Sequence, residues 1–251
     1  MRIFRIGFVF LGVIAAAASA LAAPASGPWS LDLETGLAWS GYNNVRIPGD
    51  AGTKFSLSRD LDAESVIFGR VVLARKLGRR HTVSLLIAPL RLEAAGAAPG
   101  RLVFHEETFE AGTPLRAVYK FNSYRLTWRY TLVYNPRWEA GIGLTVKVRD
   151  AAIEVRGGGR SSRRTDLGFV PLINFKVEHR LDRKWSVLLE GDALAAPQGR
   201  AEDILLAVRL ALSDSLKLKA GYRIVEGGAD NDKVYTFALI NYLVVGATVT
   251  F

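Results

Sequence analysis

The sequence has no cysteine, one methionine and three histidines in 251 residues. Without cysteine, disulfide-stapled scaffolds, thiolate metal sites and thiol enzymes are excluded. After residue 22, no apolar run reaches the roughly 18 residues that a transmembrane helix needs. Hydrophobic residues still make up 49% of the chain, which is too many for a disordered protein. The remaining classes are a globular protein and a membrane protein without spanning helices.

Residues 1–22 have the three-part pattern of a secretory signal peptide. Arg2 and Arg5 give a positive start, residues 6–18 are apolar, and small residues precede a cleavage site after Ala22. The pattern predicts export and a mature chain of residues 23–251. The net charge of the whole chain is +9, and an exported basic protein meets anionic lipid headgroups first. No nucleic-acid-binding motif is present, so we expect no nucleic-acid partner.

From residue 29 onward, apolar and polar residues alternate with a period of two. Leu144 and Val146, for example, alternate with Thr145 and Lys147. This alternation is typical of β-strands with one apolar face. It predicts about ten strands, with eight or twelve as alternatives, and an even number places both chain ends on the same rim. The predicted strands lie near residues 29–42, 64–77, 80–93, 116–132, 137–154, 166–181, 184–194, 202–213, 216–226 and 233–251.

The predicted connections alternate between short and long. Short turns are expected at 77–80, 134–137, 182–184 and 213–215, and long loops at 43–63, 94–115, 156–165, 195–202 and 227–233. Short turns on one rim and long loops on the other are typical of transmembrane β-barrels, which face apolar side chains to lipid and charged ones inward. Two strands are irregular. Pro89 interrupts 80–93, where the alternation slips, and 233–251 exceeds a crossing of about 9–11 residues, so it should project beyond the membrane.

Large aromatic residues lie near the predicted strand ends. Membrane barrels carry such residues as girdles at the two levels where hydrocarbon meets headgroups. We therefore predict two girdles, one near the chain ends and short turns and one near the long loops. The six residues assigned to them are Trp29, Trp138, Trp185 and Phe251 at the first level and Trp39 and Tyr235 at the second.

The last segment, 239–251, ends on Phe251 and has apolar residues at every second position back to Leu243, although Asn241 departs from this pattern. With the leader and the alternating strands, the chain resembles the bacterial outer-membrane β-barrel proteins. The resemblance implies an all-β, closed, antiparallel up-and-down barrel in a Gram-negative outer membrane. It also implies contact with outer-membrane lipids and lipopolysaccharide, and recognition of the strand ending at Phe251 by the barrel-assembly machinery.

In such a barrel the alternation directs eleven basic and seven acidic side chains inward. They are Asp32, Glu34, Arg70, Arg125, Arg129, Glu139, Lys147, Arg149, Lys176, Glu178, Arg180, Glu190, Asp192, Asp203, Arg209, Lys217, Lys219 and Arg223. One interpretation is mutual pairing, because an unpaired buried charge is costly. The other is a narrow water-filled path in which the excess of bases favours anions.

Catalysis has one weak candidate. His105 lies in a long loop beside Glu106 and Glu107, but nothing adjacent reproduces the His–Ser pair of lipid A deacylases and palmitoyl transferases or the Asp–His pair of omptin proteases. We assign no catalytic residue, no cofactor and no metal ligand. The favoured hypothesis is a monomeric, non-enzymatic outer-membrane barrel, either structural or surface-interacting, or a porin-like narrow anion-favouring pore. The alternatives are a barrel-embedded lipid A-modifying enzyme or protease, and a soluble periplasmic β-barrel that binds a ligand.

Overall fold

A computed structural model describes residues 27–197 and 199–251 of the chain. Within these residues the regular structure consists of β-strands. Across the same residues, no helix is long and apolar enough to cross a membrane. The predicted leader, residues 1–22, lies outside the described residues, so its export role and its cleavage stay predictions.

Fourteen strands, β1 to β14, make up the described part of the fold. They are β1 (Trp29–Arg46), β2 (Phe55–Ser56), β3 (Val66–Leu77), β4 (His81–Ala88), β5 (Arg91–Ala97), β6 (Leu102–Phe104), β7 (Glu107–Phe109), β8 (Pro114–Tyr134), β9 (Trp138–Gly157), β10 (Arg160–Arg180), β11 (Trp185–Ala196), β12 (Gly199–Ala211), β13 (Leu216–Asn231) and β14 (Val234–Thr250). Each wall strand pairs antiparallel with its neighbour, and β14 pairs with β1 to close the ring. With β4 and β5 counted as one interrupted strand, the barrel has ten, which confirms the predicted architecture.

The interruption at Pro89 leaves the pairing register of the wall unchanged. Ala88 pairs with Ser123 and Arg91 with Lys120, so β4 and β5 keep a single register against β8. The predicted slip in alternation is nevertheless confirmed for the apolar residues, because Leu85 and Ile87 on the outer face are 55% and 54% exposed whereas Leu90 and Leu92 on the inner face are 5% and 2% exposed. Proline removes one backbone donor, which breaks the ladder without rotating the following side chains to the other face.

Three of the five predicted long loops are tight hairpins instead. They are the loops predicted at 156–165, 195–202 and 227–233. There the strands continue almost to the tip, as β9 and β10 do on either side of residues 158–159. Gly158 and Gly159 both have positive φ, +55° and +76°, which suits a two-residue hairpin turn. The prediction is wrong because polar residues beyond the membrane still satisfy their backbone groups by ladder pairing, so polarity does not end a strand.

The predicted short turns at the opposite rim are confirmed. The turn between β10 and β11 shows why they form. The side-chain Oδ1 of Asp182 accepts hydrogen bonds from the backbone N–H groups of Lys184 at 2.7 Å and Trp185 at 2.8 Å. Asn135 makes the same arrangement in the turn between β8 and β9. Such Asx turns direct the chain back on itself at this rim.

The polarity of the barrel is the inverse of that of a soluble protein. Leu144 and Val208 point outward and are 63% and 45% exposed, whereas Lys147 and Arg209 point inward and are 4% and 8% exposed. An apolar exterior around a charged interior is the arrangement of a barrel that sits in lipid.

The two loops that are long, 47–65 and 98–113, fold into the long-loop end of the barrel. We call them the loop plug. Phe104 and Phe109 of this plug are 0% and 2% exposed, and Phe104 packs edge-on against Phe55 with ring centres 6.0 Å apart. Val155, from the inner face of the wall, is buried in the same apolar cluster. An apolar core therefore packs the loop plug against the inner faces of β1, β5, β8 and β9 at this end of the barrel.

Candidate functional site

The candidate site is the charged interior of the barrel. Eight side chains from six strands form what we call the central ionic cluster. Its members are Asp32 and Glu34 on β1, Arg70 on β3, Arg125 on β8, Asp192 on β11, Asp203 on β12, and Lys219 and Arg223 on β13. Because alternate residues of every wall strand point inward, strands far apart in the sequence all contribute to it.

Asp203 binds three guanidinium groups. Its carboxylate lies 3.0 Å from Arg70, 2.7 Å from Arg125 and 2.5 Å from Arg223, and the residue is 2% exposed. Buried ion pairs are favourable only when further partners satisfy the remaining donors and acceptors. Here each oxygen of Asp203 has an arginine partner, which holds four strands together across the interior.

Glu34 is the second carboxylate at the centre. It contacts Arg70 at 3.2 Å, Arg223 at 2.8 Å and Lys219 at 2.6 Å. Lys219 also binds Asp32 at 2.6 Å. Arg70 and Arg223 therefore each bridge Glu34 to Asp203, and the cluster is a continuous network.

Asp192 extends the network toward β9 and β10. Its carboxylate accepts hydrogen bonds from the guanidinium of Arg125 at 2.7 Å, the hydroxyl of Thr145 at 2.6 Å and the amide nitrogen of Asn174 at 2.9 Å. The amide oxygen of Asn174 accepts a hydrogen bond of 3.3 Å from Arg129. These neutral residues were missed in the sequence, because a threonine or asparagine on an inward position carries no distinguishing pattern.

A second set of ion pairs lies nearer the short-turn rim, and we call it the lower ionic cluster. Its members are Glu139, Lys176, Glu178, Arg180 and Arg209. Lys176 contacts Glu139 at 2.7 Å, Arg209 contacts Glu178 at 3.1 Å, and Arg180 contacts Glu139 at 3.4 Å.

The remaining inward charges differ in their surroundings. Arg149 pairs with Asp166 and keeps 31% of its side chain exposed. Glu190 and Lys217 are partly buried and, among the described residues, have no oppositely charged group within 4 Å. Lys147 is 4% exposed and lies over the ring of Phe121.

Apolar side chains fill the space around the ionic clusters. Phe68 packs edge-on against Tyr242 with ring centres 4.9 Å apart, and both belong to a buried apolar cluster. A cavity between Phe68, Phe121 and Tyr242 has room for about one water molecule. At this level the interior is filled with side chains.

Five of the six residues predicted for the aromatic girdles lie at strand ends, whereas Trp39 lies within β1. The ring of Trp138 stacks on His179 with centres 4.1 Å apart, and Trp39 meets Tyr222 edge-on at 6.0 Å. Arg75 lies 5.1 Å from the ring centre of Trp29. Trp185 and Phe251 are 43% and 37% exposed.

Tyr235, the last residue of the predicted girdles, has two cations over its ring. The guanidinium of Arg46 lies 5.4 Å and the ammonium of Lys54 lies 4.3 Å from the ring centre. Lys54 also donates a hydrogen bond of 3.0 Å to the Tyr235 hydroxyl. Sequence reasoning missed both cations, because Lys54 belongs to a loop and reaches Tyr235 only in the folded chain.

His105 lies at the turn of the β6–β7 hairpin and has a positive φ of 54°. Its Nε2 is 3.7 Å from a carboxylate oxygen of Glu106. Among the described residues it has no serine or aspartate hydrogen-bond partner, and no group of three His, Asp or Glu residues there is arranged to hold a metal ion. Nothing in this geometry assigns a reaction to it.

No protein-family model matches the sequence, and no curated protein sequence matches it either. Among solved structures, the chain is similar to the outer membrane protease OmpT from Escherichia coli, with 10% identity and a TM-score of 0.54 over 89% of this chain and 96% of that chain. The fold is that of a bacterial outer-membrane β-barrel. At this identity the likeness concerns the fold of the barrel and not its activity.

Two further structures illustrate the range of proteins that this barrel resembles. The translocator domain of the autotransporter NalP from Neisseria meningitidis shares 12% identity with a TM-score of 0.46, covering 98% of this chain and 96% of that one. Neisserial surface protein A shares 13% identity with a TM-score of 0.37, covering 89% of this chain and 97% of that one.

Proposed function

We propose that this chain is a monomeric, non-enzymatic outer-membrane protein that does not conduct ions and serves a structural or surface-interaction role. The observation that carries the proposal is the occlusion of the interior. Asp203 on β12 holds Arg125 from the far wall and Arg70 from β3 in the central ionic cluster, and the loop plug packs an apolar core against one side of the wall at the long-loop end.

Ion conduction requires water along the whole interior path and sites that bind ions weakly enough to release them. Arg70, Arg125 and Arg223 already have carboxylates within 3.0 Å, so they are not free to attract passing anions. This arrangement favours mutual pairing over the anion-favouring pore.

Planar-bilayer recording of the purified protein tests this proposal. We expect no stable unitary conductance at any of several salt concentrations. A channel-forming porin reconstituted in the same bilayers controls for detection. Reproducible unitary steps with anion preference would instead support the narrow pore.

We also propose that the barrel resides in the outer membrane of a Gram-negative cell. The exposed apolar side chains of its wall, such as Leu144 and Leu206, would face water in a soluble periplasmic protein, which is unfavourable for so large an apolar surface. Fractionation with a carbonate wash tests the location. Retention in the outer-membrane pellet is expected, and release with the periplasmic proteins would support the soluble ligand-binding alternative.

We propose outer-membrane lipids, lipopolysaccharide included, as partners at the long-loop end. Arg46 and Lys54 over the ring of Tyr235 combine an aromatic anchor with two cations, which suits a headgroup region rich in phosphate. Replacing Arg46 and Lys54 with serine should reduce the lipopolysaccharide that copurifies with the barrel. Lys184→Ser, in a short turn at the other rim, is the control and should leave the amount unchanged.

We further propose that the assembly machinery recognises the final strand through Phe251. The backbone of Phe251 pairs with that of Trp29 in both directions, at 3.0 and 3.1 Å, while its ring stays 37% exposed. Phe251→Ala should therefore reduce assembly in cells but leave folding into detergent micelles intact. Phe237→Ala serves as the matched control. Equal assembly of both variants in cells would contradict this role.

The non-enzymatic part of the proposal is tested with labelled lipid A and labelled peptides. We expect purified protein to leave both unchanged. Turnover that is lost in His105→Ala would overturn this part and support the alternative of a barrel-embedded lipid A-modifying enzyme or protease.

A further inference from the structure

The part of β10 nearest the long-loop end has a strand neighbour on one side only. Its ladder with β9 runs without a break from Arg160 to His179, whereas its ladder with β11 begins at Ile173. β11 continues only to Ala196 before the chain turns into β12. Residues 160–172 therefore form a free strand edge on the side away from β9, and we call it the β10 edge.

The backbone groups of β10 alternate between the β9 side and this edge. The N–H of Arg180 donates to the carbonyl of Arg137 at 2.8 Å, and the β9–β10 register has no bulge, so even-numbered residues direct their backbone groups at β9. Odd-numbered residues direct theirs at the edge. In the described part of the chain, the edge-facing N–H groups that lack a hydrogen-bond acceptor are those of Ser161, Arg163, Thr165, Leu167 and Phe169.

Pro171 explains where the ladder between β10 and β11 stops. It lies at an odd-numbered position, so the N–H that proline lacks would have faced the edge. A β11 strand that continued past its last pair, at Ile173, would therefore lose a hydrogen bond at Pro171. The missing donor ends the ladder at this level and leaves the edge above it free.

The loop plug does not occupy the β10 edge. The hydroxyl of Ser162, on the inner face, accepts a hydrogen bond of 3.4 Å from the backbone N–H of Glu106. The side chain of Arg160 donates one of 2.9 Å to the carbonyl of Thr108. Both contacts use side chains of β10, so they leave its edge-facing backbone groups available.

The free edge begins within the apolar belt. On the outward face, Phe169 is paired with Val148 and Leu167 with Asp150, so the belt ends between these two levels. Phe169 and Leu167 are 75% and 69% exposed. Open sheet edges are unfavourable next to hydrocarbon, because lipid tails offer no hydrogen-bonding groups. The lower part of the edge is therefore stabilised by a partner that supplies backbone-like donors and acceptors.

A second copy of the barrel does not fit this edge. Two copies inserted with the same orientation are related by a two-fold axis along the membrane normal. Their β10 strands then run in the same direction with opposite tilts, so strands tilted by about 40° cross at about 80°. A ladder requires nearly aligned strands, which excludes pairing of one edge with its copy.

The charges along the edge favour an acidic partner. Arg163 is exposed on the outward face, and Arg164 lies on the inward face with its Nε buried and without a hydrogen-bond partner among the described residues. Asp166, the one acidic residue of the segment, already pairs with Arg149. Opposite charges directly across two strands are favourable, so acidic side chains suit the positions facing Arg163 and Arg164.

We propose that the β10 edge binds an extended acidic segment of a partner protein, which adds beside β10 as an antiparallel strand. The added strand exchanges backbone hydrogen bonds with the odd-numbered residues. Its acidic side chains lie opposite Arg163 and Arg164, and its apolar side chains lie opposite Leu167 and Phe169. This inference rests on the proposed surface-interaction role and states the chemistry of the partner.

A synthetic peptide tests the proposal. The probe is Val-Thr-Val-Ser-Thr-Glu-Glu-Ser-Thr-Glu, whose residues fall in order opposite positions 169 to 160 of β10, labelled with a fluorophore at its amino end. We expect saturable binding to the purified protein in detergent micelles, measured by fluorescence anisotropy. Absence of binding at millimolar protein concentration overturns the proposal.

N-methylation of the peptide separates strand addition from simple attraction of charges. Methyl groups on the nitrogens of the residues opposite Arg163, Thr165 and Leu167 block the donors that face β10, and we expect them to abolish binding. Methyl groups on the residues opposite Arg164, Asp166 and Gly168 face away and should leave binding intact. Equal affinity of the two methylated peptides overturns the proposal.

A charge reversal tests the expected register. Arg163→Glu should weaken binding of the acidic peptide about tenfold, because it replaces a cross-strand attraction with a repulsion. A peptide with lysine in place of the glutamate opposite position 163 should restore the affinity for this variant. Arg183→Glu, exposed in a short turn at the other rim, is the matched control and should bind like the wild type. Equal binding by the Arg163→Glu and Arg183→Glu variants overturns the proposal.

Amide hydrogen exchange of the wild-type protein gives a test that needs no variant. The amides of Arg163, Thr165 and Leu167 should exchange fast in the free protein, and those of Arg164 and Asp166 should be protected by the β9 ladder. Added peptide should slow the first set. Protection of that set by purified lipopolysaccharide but not by the peptide overturns the proposal. Binding in micelles requires neither conductance nor a particular membrane, so such a failure leaves a non-conducting structural role standing.

Discussion

Arg125 and Asp203 form a salt bridge of 2.7 Å across the interior of the barrel, although they are 78 positions apart and lie on strands separated by three others. Both side chains are nearly fully buried, at 2% and 3% exposed. The contact ties β8 to β12 without any ladder between them. It shows that the inward charges serve as cross-links between walls.

We expect Asp203→Asn to be strongly destabilising. The variant leaves Arg70, Arg125 and Arg223 facing a neutral amide, and breaking a buried ionic network costs about 3–5 kcal/mol. Equilibrium unfolding in urea from detergent or lipid measures the effect. Asp214→Asn, in an exposed short turn, is the matched control and should change the free energy of unfolding by less than about 0.5 kcal/mol. Similar values for both variants would contradict a structural role for the central ionic cluster.

Leu144→Arg tests which face of the wall meets lipid. Leu144 is 63% exposed on the outward face of β9. An arginine there should cost about 2–4 kcal/mol in a bilayer, because the charge has to lie in hydrocarbon. Thr165→Arg, on the outward face of β10 beyond the apolar belt, should cost little. Folding titrations in lipid vesicles compare the two, and an unchanged stability of Leu144→Arg would mean that this surface does not contact lipid.

Phe104→Ala should loosen the loop plug but leave the barrel intact. Phe104 is fully buried in the plug, and a cavity of that size in a packed core costs about 3–5 kcal/mol of local stability. We expect trypsin to cleave at Arg101 faster in this variant, while the heat stability of the barrel changes little. Glu110→Ala, at an exposed position of the same loop, is the control. Loss of barrel stability with no change in cleavage would argue against a separately packed plug.

The turn residue Asp182 is expected to titrate below its ordinary pKa. Hydrogen bonds from the backbone N–H groups of Trp185 and Lys184 stabilise the carboxylate and lower its pKa from 3.8. A depressed pKa in the folded state means that the stabilising contribution is present above pH 3.8 and is lost as the pH falls through the folded pKa. NMR titration of the side chain measures this directly.

Two substitutions at this turn separate charge from hydrogen bonding. Asp182→Asn keeps the Oδ1 acceptor, as Asn135 does in the neighbouring turn, so it should retain the hairpin and lose only the pH dependence. Asp182→Ala removes the acceptor and should weaken the hairpin at every pH. An ordinary pKa for Asp182 in the folded protein would contradict the expected effect of these backbone donors.

Features that depend on neighbouring residues in the chain were predictable. The alternation of Leu144 and Val146 with Lys147 identified a strand and its two faces, because successive side chains of a strand point to opposite sides. The Asx turn at Asp182 likewise involves residues only two and three positions away. Strand number and the inverted polarity followed from repeating such local patterns.

Features that depend on partners far away in the sequence were not predictable. The two-residue hairpin at Gly158 and Gly159 was predicted as a loop, because ladder pairing continues wherever an aligned strand is present, whatever the polarity of the residues. Whether an inward charge is paired depended on residues far away in the sequence, such as Arg70, which reaches Asp203 from 133 positions away.

The amino-acid sequence by itself determined that the chain is a β-barrel of about ten strands, with eight or twelve as alternatives, and that its apolar face is outward, since strand formation and facing arise from contacts within each hairpin. Only the tertiary structure decided that the interior is filled, that two loops form a plug and that Lys147 lies apart from the carboxylates. The reason is physical: closing the ring brings inward side chains from distant strands within bonding distance, and their pairing depends on tilt, register and side-chain length together.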